Sequence, residues 1–149
     1  MLTRQKILAA ALPLEGLPWH PVGASEEAGC NCIGLMVLIA EKLGRRRLLR
    51  AFKPYAGMAS PPERKALVGA LRKHMEHVAP ANAQPGDVLL VKQRGRNPDD
   101  PELTHVVLML EGGEIMESLC LDKRRRTGRV LRRLNPYKVH SAWKVPGIK

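Results

Sequence analysis

The chain has 149 residues, enough for one domain with a hydrophobic core, and we expect residues 1–149 to form a single domain. Its 25 Lys and Arg residues against 14 Asp and Glu give a formal charge of +11, which predicts attraction to polyanions such as nucleic acid, phosphate-bearing cell-wall polymers or membrane surfaces. Aromatic residues make up only 3% of the chain, which argues against a stacking platform for single-stranded nucleic acid.

The three cysteines form no even disulfide framework, and this favours synthesis in a reducing compartment. The apolar run at residues 7–12 faintly resembles a signal peptide, but Pro13 and Glu15 interrupt it and no clear cleavage site follows. We therefore expect synthesis in the cytoplasm without a signal peptide. We also expect no membrane span, because no apolar stretch approaches the roughly 18 residues that a bilayer requires.

Helical patterns occupy the first half of the chain. Residues 3–12 predict a short helix with Thr3 as its N-cap, and the loop at 14–29 follows. Residues 33–40 are apolar throughout, and the sequence then closes on a glycine at position 44. We expect a buried helix from about Cys32 to Leu43 with a glycine stop.

The next segments predict a basic helix end and a second helix. Residues 45–47 are three arginines, which we expect to be the solvated end of the preceding helix, since cations are favourable there. Residues 54–62 hold three prolines and a glycine and predict an irregular connection, after which 61–63 open an amphipathic helix. His74 and His77 lie three residues apart on it, but no further ligand lies nearby, so we assign them no metal.

The periodicity changes from helical to extended after the turn at residues 84–87. Alternating and β-branched runs predict antiparallel strands, with a glycine hairpin at 111–114 and a polar loop at 93–102. The predicted strands are 88–91, 104–110, 115–118, 129–134 and 142–145. Helices first and antiparallel strands afterwards predict an α+β domain.

Cys32 is the candidate nucleophile. A thiol in the first turn of a helix experiences the positive end of the helix dipole, which lowers its pKa and favours the thiolate. The unpaired backbone N–H groups of the same turn are suited to hold a developing oxyanion. A free cysteine at a buried helix start is also compatible with a packing role, so further residues are needed to support catalysis.

A thiol protease or amidase needs a base near the sulfur and a third polar group to orient the imidazole. His105 opens a β-branched, apolar strand directly after a polar loop, where its ring can project at the sheet edge. A turn centred on the two glycines pairs positions whose numbers sum to about 225. Glu117 therefore faces roughly position 108 and lies diagonal to His105, within plausible reach of the ring.

Three short motifs in order resemble those of the NlpC-type, papain-like cell-wall cysteine peptidases, in particular their phage and prophage tail branch. They are residues 31–36 (Asn-Cys-Ile-Gly-Leu-Met), 84–90 (Gln-Pro-Gly-Asp-Val-Leu-Leu) and 104–109 (Thr-His-Val-Val-Leu-Met), the last followed by a glycine pair. In that family the nucleophile stands in an Asp-Cys-Ser/Leu-Gly-Leu/Phe-Val motif and the base opens a His-Val-Gly-Ile strand. The resemblance covers most of the chain and implies N-terminal helices packed on a C-terminal antiparallel sheet.

The resemblance implies that Cys32 is the nucleophile and His105 the base. The family's third position, often His, falls on Glu117, and a carboxylate there can stabilise an imidazolium as Asp does in other triads. The Gly-Thr-Pro-Tyr motif that commonly precedes the nucleophile corresponds to residues 16–19, so Trp19 replaces its tyrosine. Trp19 and Asn31 are therefore the candidates for holding an oxyanion or the substrate.

The function that the resemblance implies is hydrolysis of peptidoglycan stem peptides, typically between D-glutamate and a diamino acid. It requires no metal and no organic cofactor. For a tail-branch member, the expected partners are phage tail proteins and the peptidoglycan peptide, and the expected location is a virion tail acting at the cell wall after synthesis in the cytoplasm. The high positive charge suits an anionic wall polymer.

Two rival functions remain open. The first is a non-catalytic tail or assembly protein with the same fold, in which Glu117 and Trp19 have drifted. The second is a basic nucleic-acid-binding protein that uses the tracts at 45–47 and 123–133, although few aromatics and no recognisable nucleic-acid motif support it. Cys30 has two further interpretations, a packed core residue or a redox partner of Cys32, and we prefer packing.

Overall fold

The computed structural model describes residues 1–58, 64–93 and 103–148. In this part of the chain, four α-helices and eight strands follow one another. The helices are α1 (Arg4–Ala11), α2 (Cys32–Leu43), α3 (Arg46–Ala56) and α4 (Arg64–His74). The strands are β1 (Ala24–Ser25), β2 (Gly29–Cys30), β3 (Glu76–Val78), β4 (Val88–Gln93), β5 (Leu103–Met109), β6 (Glu114–Asp122), β7 (Thr127–Leu134) and β8 (Lys138–Lys144).

The architecture is α+β, as predicted. Strands β3 to β8 form an antiparallel sheet in the order β3-β8-β4-β5-β6-β7, while β1 and β2 pair separately before α2. One face of the sheet packs on the helices through alternate apolar side chains, including Leu90, Leu108 and Trp143. The opposite face carries a smaller cluster that includes Val91, Val107 and Ile115. The strands therefore bury side chains on both faces.

The predicted first two helices are confirmed. Thr3 caps α1, where its side chain accepts a hydrogen bond from the Lys6 amide. Helix α2 ends at Gly44, whose φ of 64° lies in the left-handed region that glycine adopts without strain. An ion pair between the partly exposed Arg4 and the buried Asp87, with a nitrogen to oxygen distance of 2.7 Å, links α1 to the turn before β4.

The expectation for the arginine run at 45–47 is wrong. Gly44 already ends α2, and Arg46 begins a further helix, α3, that the sequence interpretation missed. Every third or fourth side chain of α3 is buried, which is the pattern of an amphipathic helix: Leu48, Ala51, Phe52 and Ala56. Proline is unfavourable inside a helix, so the sequence predicted an irregular connection from residue 54, yet Pro54 lies inside the last turn of α3.

Other boundaries differ less. The predicted irregular connection at 54–62 is helical up to Ala56, and residues 59–62, like the predicted helix start at 61–63, lie outside the described residues. The polar loop at 93–102 is described only at Gln93, which ends β4. Strands β6, β7 and β8 are each longer than predicted. Within the described residues, no helix has the length and apolar character needed to cross a membrane.

Candidate active site

The start of helix α2 is held by Asn31. Its side-chain oxygen accepts a hydrogen bond from the Gly34 amide at 2.7 Å, which is N-capping geometry. Its amide nitrogen donates to the carbonyls of Pro21 at 3.2 Å and Ala56 at 3.3 Å, so the cap also fixes the preceding loop and the end of α3. Both amide hydrogens are thus in use. The expected role of Asn31 in holding an oxyanion or substrate would require one of these bonds to break.

Gly34 is required at this helix start by close packing. A Cβ atom placed on it would lie 2.0 Å from the carbonyl oxygen of Gly23, which also accepts the Asn31 backbone N–H at 3.1 Å. No side chain fits against a backbone oxygen at that distance. The glycine two residues after Cys32 therefore lets the preceding loop pack directly on the first turn of α2.

The first turn of α2 lies where strands β5 and β6 separate. Their ladder consists of Leu108 opposite Met116 and Met109 opposite Ile115, so it ends before the level of His105. The backbone N–H of Val106 is thereby available, and it hydrogen-bonds to the sulfur of Cys32 together with the Ile33 amide. The separation of the two strands makes room for the thiol at the edge of the sheet.

The structure brings Cys32, His105 and Glu117 together. His105 Nε2 lies 2.9 Å from Glu117 Oε1, and the side chains of this pair are 5% and 0% exposed. A hydrogen bond links the Cys32 thiol to the His105 side chain. The β5–β6 ladder pairs positions that sum to 224, so Glu117 lies diagonal to His105, and the structure shows the two side chains in contact.

The electrostatics of the three groups favour a thiolate and an imidazolium. Burial raises the pKa of Cys32, but the hydrogen bond and the charge of His105 and the backbone N–H groups outweigh it, so the pKa lies below its usual value of 9.0. Burial also lowers the pKa of His105, but hydrogen bonds to Cys32 and Glu117 raise it to about 9. Both shifts favour the proton of the pair on the ring over the proton on the sulfur.

Two residues that the sequence interpretation did not assign to the site complete it. Arg133 Nε donates to Glu117 Oε2 at 2.8 Å, and the Tyr137 hydroxyl donates to Glu117 Oε1 at 2.5 Å. Against the opposing effect of burial, hydrogen bonds from His105, Arg133 and Tyr137 lower the pKa of Glu117 to about 2. Strand register was the available signal, because Leu131 lies opposite Glu117 and Arg133 follows it on the same face of β7.

Trp19 lies near this site through its backbone. It bridges to Cys30, two residues before the candidate nucleophile, and its N–H donates to the Gly128 carbonyl at 3.0 Å. Its side chain is half-buried. In the part of the chain that the structure describes, the indole forms no hydrogen bond to Cys32, His105 or Glu117. Its proposed contact with an oxyanion therefore depends on a bound substrate.

The other cysteine and histidine candidates have structural environments. Cys30 is fully buried, and burial raises the pKa of its thiol to about 11, which suits packing rather than redox exchange. Its carbonyl accepts a hydrogen bond from the Ser118 hydroxyl at 2.5 Å. The ring of His77 packs against Trp143 with centroids 4.9 Å apart.

The basic tract at 123–133 is partly engaged within the chain. Arg132 pairs with Glu114 at 2.9 Å, and Arg133 pairs with Glu117. Arg125 lies 3.8 Å from an Asp122 oxygen. These arginines are not all available for a continuous polyanion-binding strip.

Solved structures share this arrangement of helices and sheet. A protein of the NLP/P60 family from Staphylococcus aureus, described as similar to lipoprotein, superposes with a TM-score of 0.59 at 20% identity over 98% of this chain. The NlpC/p60 domain of the peptidoglycan hydrolase SagA gives 0.58 at 17% identity over 97% of this chain, and an NlpC/P60 family protein from Bacillus cereus gives 0.55 at 16% over 95%. The chain has the fold of the NlpC/P60 proteins.

At these identities the likeness concerns the fold. The chain corresponds to 100% of the SagA domain but spans only about two fifths of the other two proteins, 41% and 39%. No model of a protein family and no curated protein sequence matches it. The case for an activity therefore depends on the geometry of Cys32, His105 and Glu117.

Proposed function

We propose that this protein is a cysteine peptidase or amidase that hydrolyses amide bonds in the stem peptides of peptidoglycan. The observation that carries the proposal is the position of the His105 imidazole. It contacts buried Glu117 at 2.9 Å and also hydrogen-bonds the thiol of Cys32. A nucleophile, a base and an orienting group in that order are the requirements for acyl transfer through a thioester. The wall substrate is suggested by the shared fold, since one structural neighbour is named as a peptidoglycan hydrolase.

In the first half of the reaction, the Cys32 thiolate attacks the amide carbonyl carbon and forms a carbon–sulfur bond. The carbonyl oxygen takes up the negative charge near the first turn of α2, where the backbone N–H of Cys32 is the candidate donor, with Trp19 beside it. When the tetrahedral intermediate collapses, the carbon–nitrogen bond breaks and the His105 imidazolium gives its proton to the leaving amine. A thioacyl-enzyme remains.

In the second half, neutral His105 accepts a proton from water as the water attacks the thioester. Collapse releases the carboxylic acid and regenerates the Cys32 thiolate beside the His105 imidazolium. Glu117 holds the ring throughout and stabilises its charged form, which is the role of the carboxylate in comparable triads. Protons and charges therefore balance over the cycle without a metal or an organic cofactor.

The finer expectations are part of the same proposal. The bond cleaved is taken to be the one between D-glutamate and a diamino acid, and the chain is taken to be a single domain, residues 1–149, of phage or prophage origin. On that view it is made in the cytoplasm, assembles with tail proteins and acts at the cell wall. Mass spectrometry of purified virions would test the tail location, and failure to detect the protein in them would contradict it.

The decisive experiment combines thiol reactivity with substrate digestion. We expect iodoacetamide to alkylate Cys32 at pH 6 much faster than a free thiol, and His105→Ala to remove that advantage. Purified peptidoglycan incubated with the protein should release new amino termini, and Cys32→Ala should release none. Cys120→Ser is the matched control: the Cys120 thiol donates to the Asp122 carbonyl at 3.5 Å, so its replacement should leave both results unchanged.

The rival functions predict different results. A non-catalytic tail protein would leave peptidoglycan intact even if Cys32 is reactive, so the digestion excludes or supports it. A nucleic-acid-binding protein would show DNA affinity that falls steeply with salt, with no dependence on Cys32. The ion pairs of Arg132 and Arg133 with carboxylates argue against the second rival.

A further inference from the structure

The carboxylate of Glu117 accepts hydrogen bonds from three side chains on three segments of the chain. His105 of β5 and the Tyr137 hydroxyl both reach Oε1, at 2.9 and 2.5 Å, while Arg133 of β7 reaches Oε2 at 2.8 Å. Arg133 also donates to the Tyr137 hydroxyl oxygen at 2.9 Å. The four side chains therefore form one connected network around a carboxylate that is fully buried.

The chemistry of the donors fixes where the protons lie. A guanidinium can only donate, so the Tyr137 oxygen accepts from Arg133, and the single hydroxyl hydrogen of Tyr137 is directed at Glu117. With Arg133 and Tyr137 both donating to it, the carboxylate is an acceptor on both oxygens. His105 Nε2 must then carry a hydrogen toward Oε1, which leaves Nδ1 as the ring nitrogen for Cys32.

We propose that Arg133 and Tyr137 act as a clamp, meaning a pair of positioning residues that keeps Glu117 ionised and directed at His105. For its catalytic meaning this inference rests on the reaction proposed above. In that reaction, the clamp determines that Nδ1 is the nitrogen of His105 that exchanges the proton with Cys32. Neither residue touches the reacting atoms. Their effect on the protonation of His105 passes through Glu117, and Tyr137 in addition packs against the His105 ring.

The burial of Glu117 explains why a clamp is needed. A carboxylate removed from water tends to take up a proton, and a protonated Glu117 would donate a hydrogen to Nε2 and push the ring hydrogen onto Nδ1. Nδ1 could then no longer accept a proton from the thiol. Arg133 supplies the opposing charge, and Tyr137 also packs edge-on against the His105 ring with centroids 5.4 Å apart.

The test measures the ionisation of Glu117 itself, without any substrate. The side-chain carboxyl carbon of Glu117 is followed by NMR in isotope-labelled protein as the pH is lowered, with the wild type expected to titrate near pH 2. Arg133→Gln should raise that midpoint by about two pH units and Tyr137→Phe by about one, since charged hydrogen bonds are roughly twice as strong as neutral ones. Arg133→Lys should recover part of the difference, because it restores the charge without the planar fork.

Arg132→Gln is the matched control. It removes the same charge from the neighbouring position of β7, but Arg132 pairs with Glu114 at the surface and does not contact Glu117. We expect it to leave the Glu117 midpoint unchanged. Near-ultraviolet circular dichroism of each variant identifies any that fails to fold, and if Arg133→Gln fails, Tyr137→Phe decides the question.

A second readout links the clamp to catalysis. In peptidoglycan digestion, the acid limb of kcat should move to higher pH in Arg133→Gln and Tyr137→Phe, while KM stays near the wild-type value. A midpoint of Glu117 that moves no more in these variants than in Arg132→Gln overturns the clamp. If that happens while the wild type still cleaves peptidoglycan, the proposed function stands; if the midpoint moves but the wild type cleaves nothing, the clamp stands and the proposed function fails.

Discussion

Replacement of Glu117 by Gln gives the sharpest test of the site through stability. The substitution keeps the shape of the side chain but removes its charge, so three donors then face one carbonyl oxygen and one NH2 group. At least one donor of His105, Arg133 or Tyr137 loses its acceptor. A buried donor left without a partner costs about 1–3 kcal/mol.

The ionisation of Glu117 gives an independent magnitude. Its pKa falls from the usual 4.5 to about 2 in the folded chain. With about 1.4 kcal/mol for each pH unit, ionised Glu117 contributes about 3 kcal/mol to the free energy of unfolding. Because the folded pKa is the lower one, this contribution is fully present above pH 4.5 and is lost as the pH falls toward 2.

The assay is urea unfolding of wild type and Glu117→Gln at a series of pH values from 7 to 3. We expect the wild type to be more stable by about 3 kcal/mol above pH 5, and the difference to shrink steadily below that. Glu114→Gln is the control on the same strand, since its exposed pair with Arg132 should contribute at most about 1 kcal/mol. A difference for Glu117→Gln that does not change between pH 7 and 3 would refute the reasoning.

Three further predictions concern the same region. As the pH rises from 6.5 to 9, the raised pKa of His105 makes its stabilisation fade, while the lowered pKa of Cys32 makes its own contribution grow toward pH 9. The two changes oppose each other, so the free energy of unfolding measured by urea titration should fall less steeply than His105 alone would cause. A slope near 1.4 kcal/mol per pH unit would contradict this pairing. Gly34→Ala should lower the free energy of unfolding by about 2 kcal/mol or more. Gly69→Ala, whose added Cβ would face open space on α4, should raise the free energy of unfolding by about 0.5–1 kcal/mol through helix propensity, which a higher melting temperature would show. Asn31→Ala should cost about 1 kcal/mol for the lost cap, and an unchanged melting temperature would show that the cap is dispensable.

Local sequence patterns were sufficient to predict the helix that begins at Cys32 and to place Glu117 within reach of His105. The apolar run after Cys32 and its closing glycine predicted α2 within a residue, because a helix boundary depends on neighbours in sequence. The glycine hairpin set the register of β5 and β6, and this was enough to bring Glu117 diagonal to His105. Both successes concern segments in which local geometry leaves few alternatives.

Helix α3 shows where local patterns misled. Its proline and its arginines suggested a solvated helix end and an irregular connection, yet Phe52 and its buried neighbours hold it against α2 and α4. Packing of an amphipathic face outweighs the unfavourable propensity of Pro54 near the end of a helix. Its partners α2 and α4 are its neighbours in the chain, but which side chains of α3 they cover is decided by how the helices pack, and composition alone could not reveal that.

The sequence by itself determined the α+β class, the thiol at a helix start, and a histidine and a glutamate placed diagonally across a hairpin. Only the tertiary structure decided what surrounds them. Arg133 reaches Glu117 because β7 pairs with β6 in one register, and Tyr137 reaches it from the segment after β7. The ionisation of a buried carboxylate depends on donors that folding brings within about 3 Å, and such distances between remote segments are properties of packing, which no local pattern encodes.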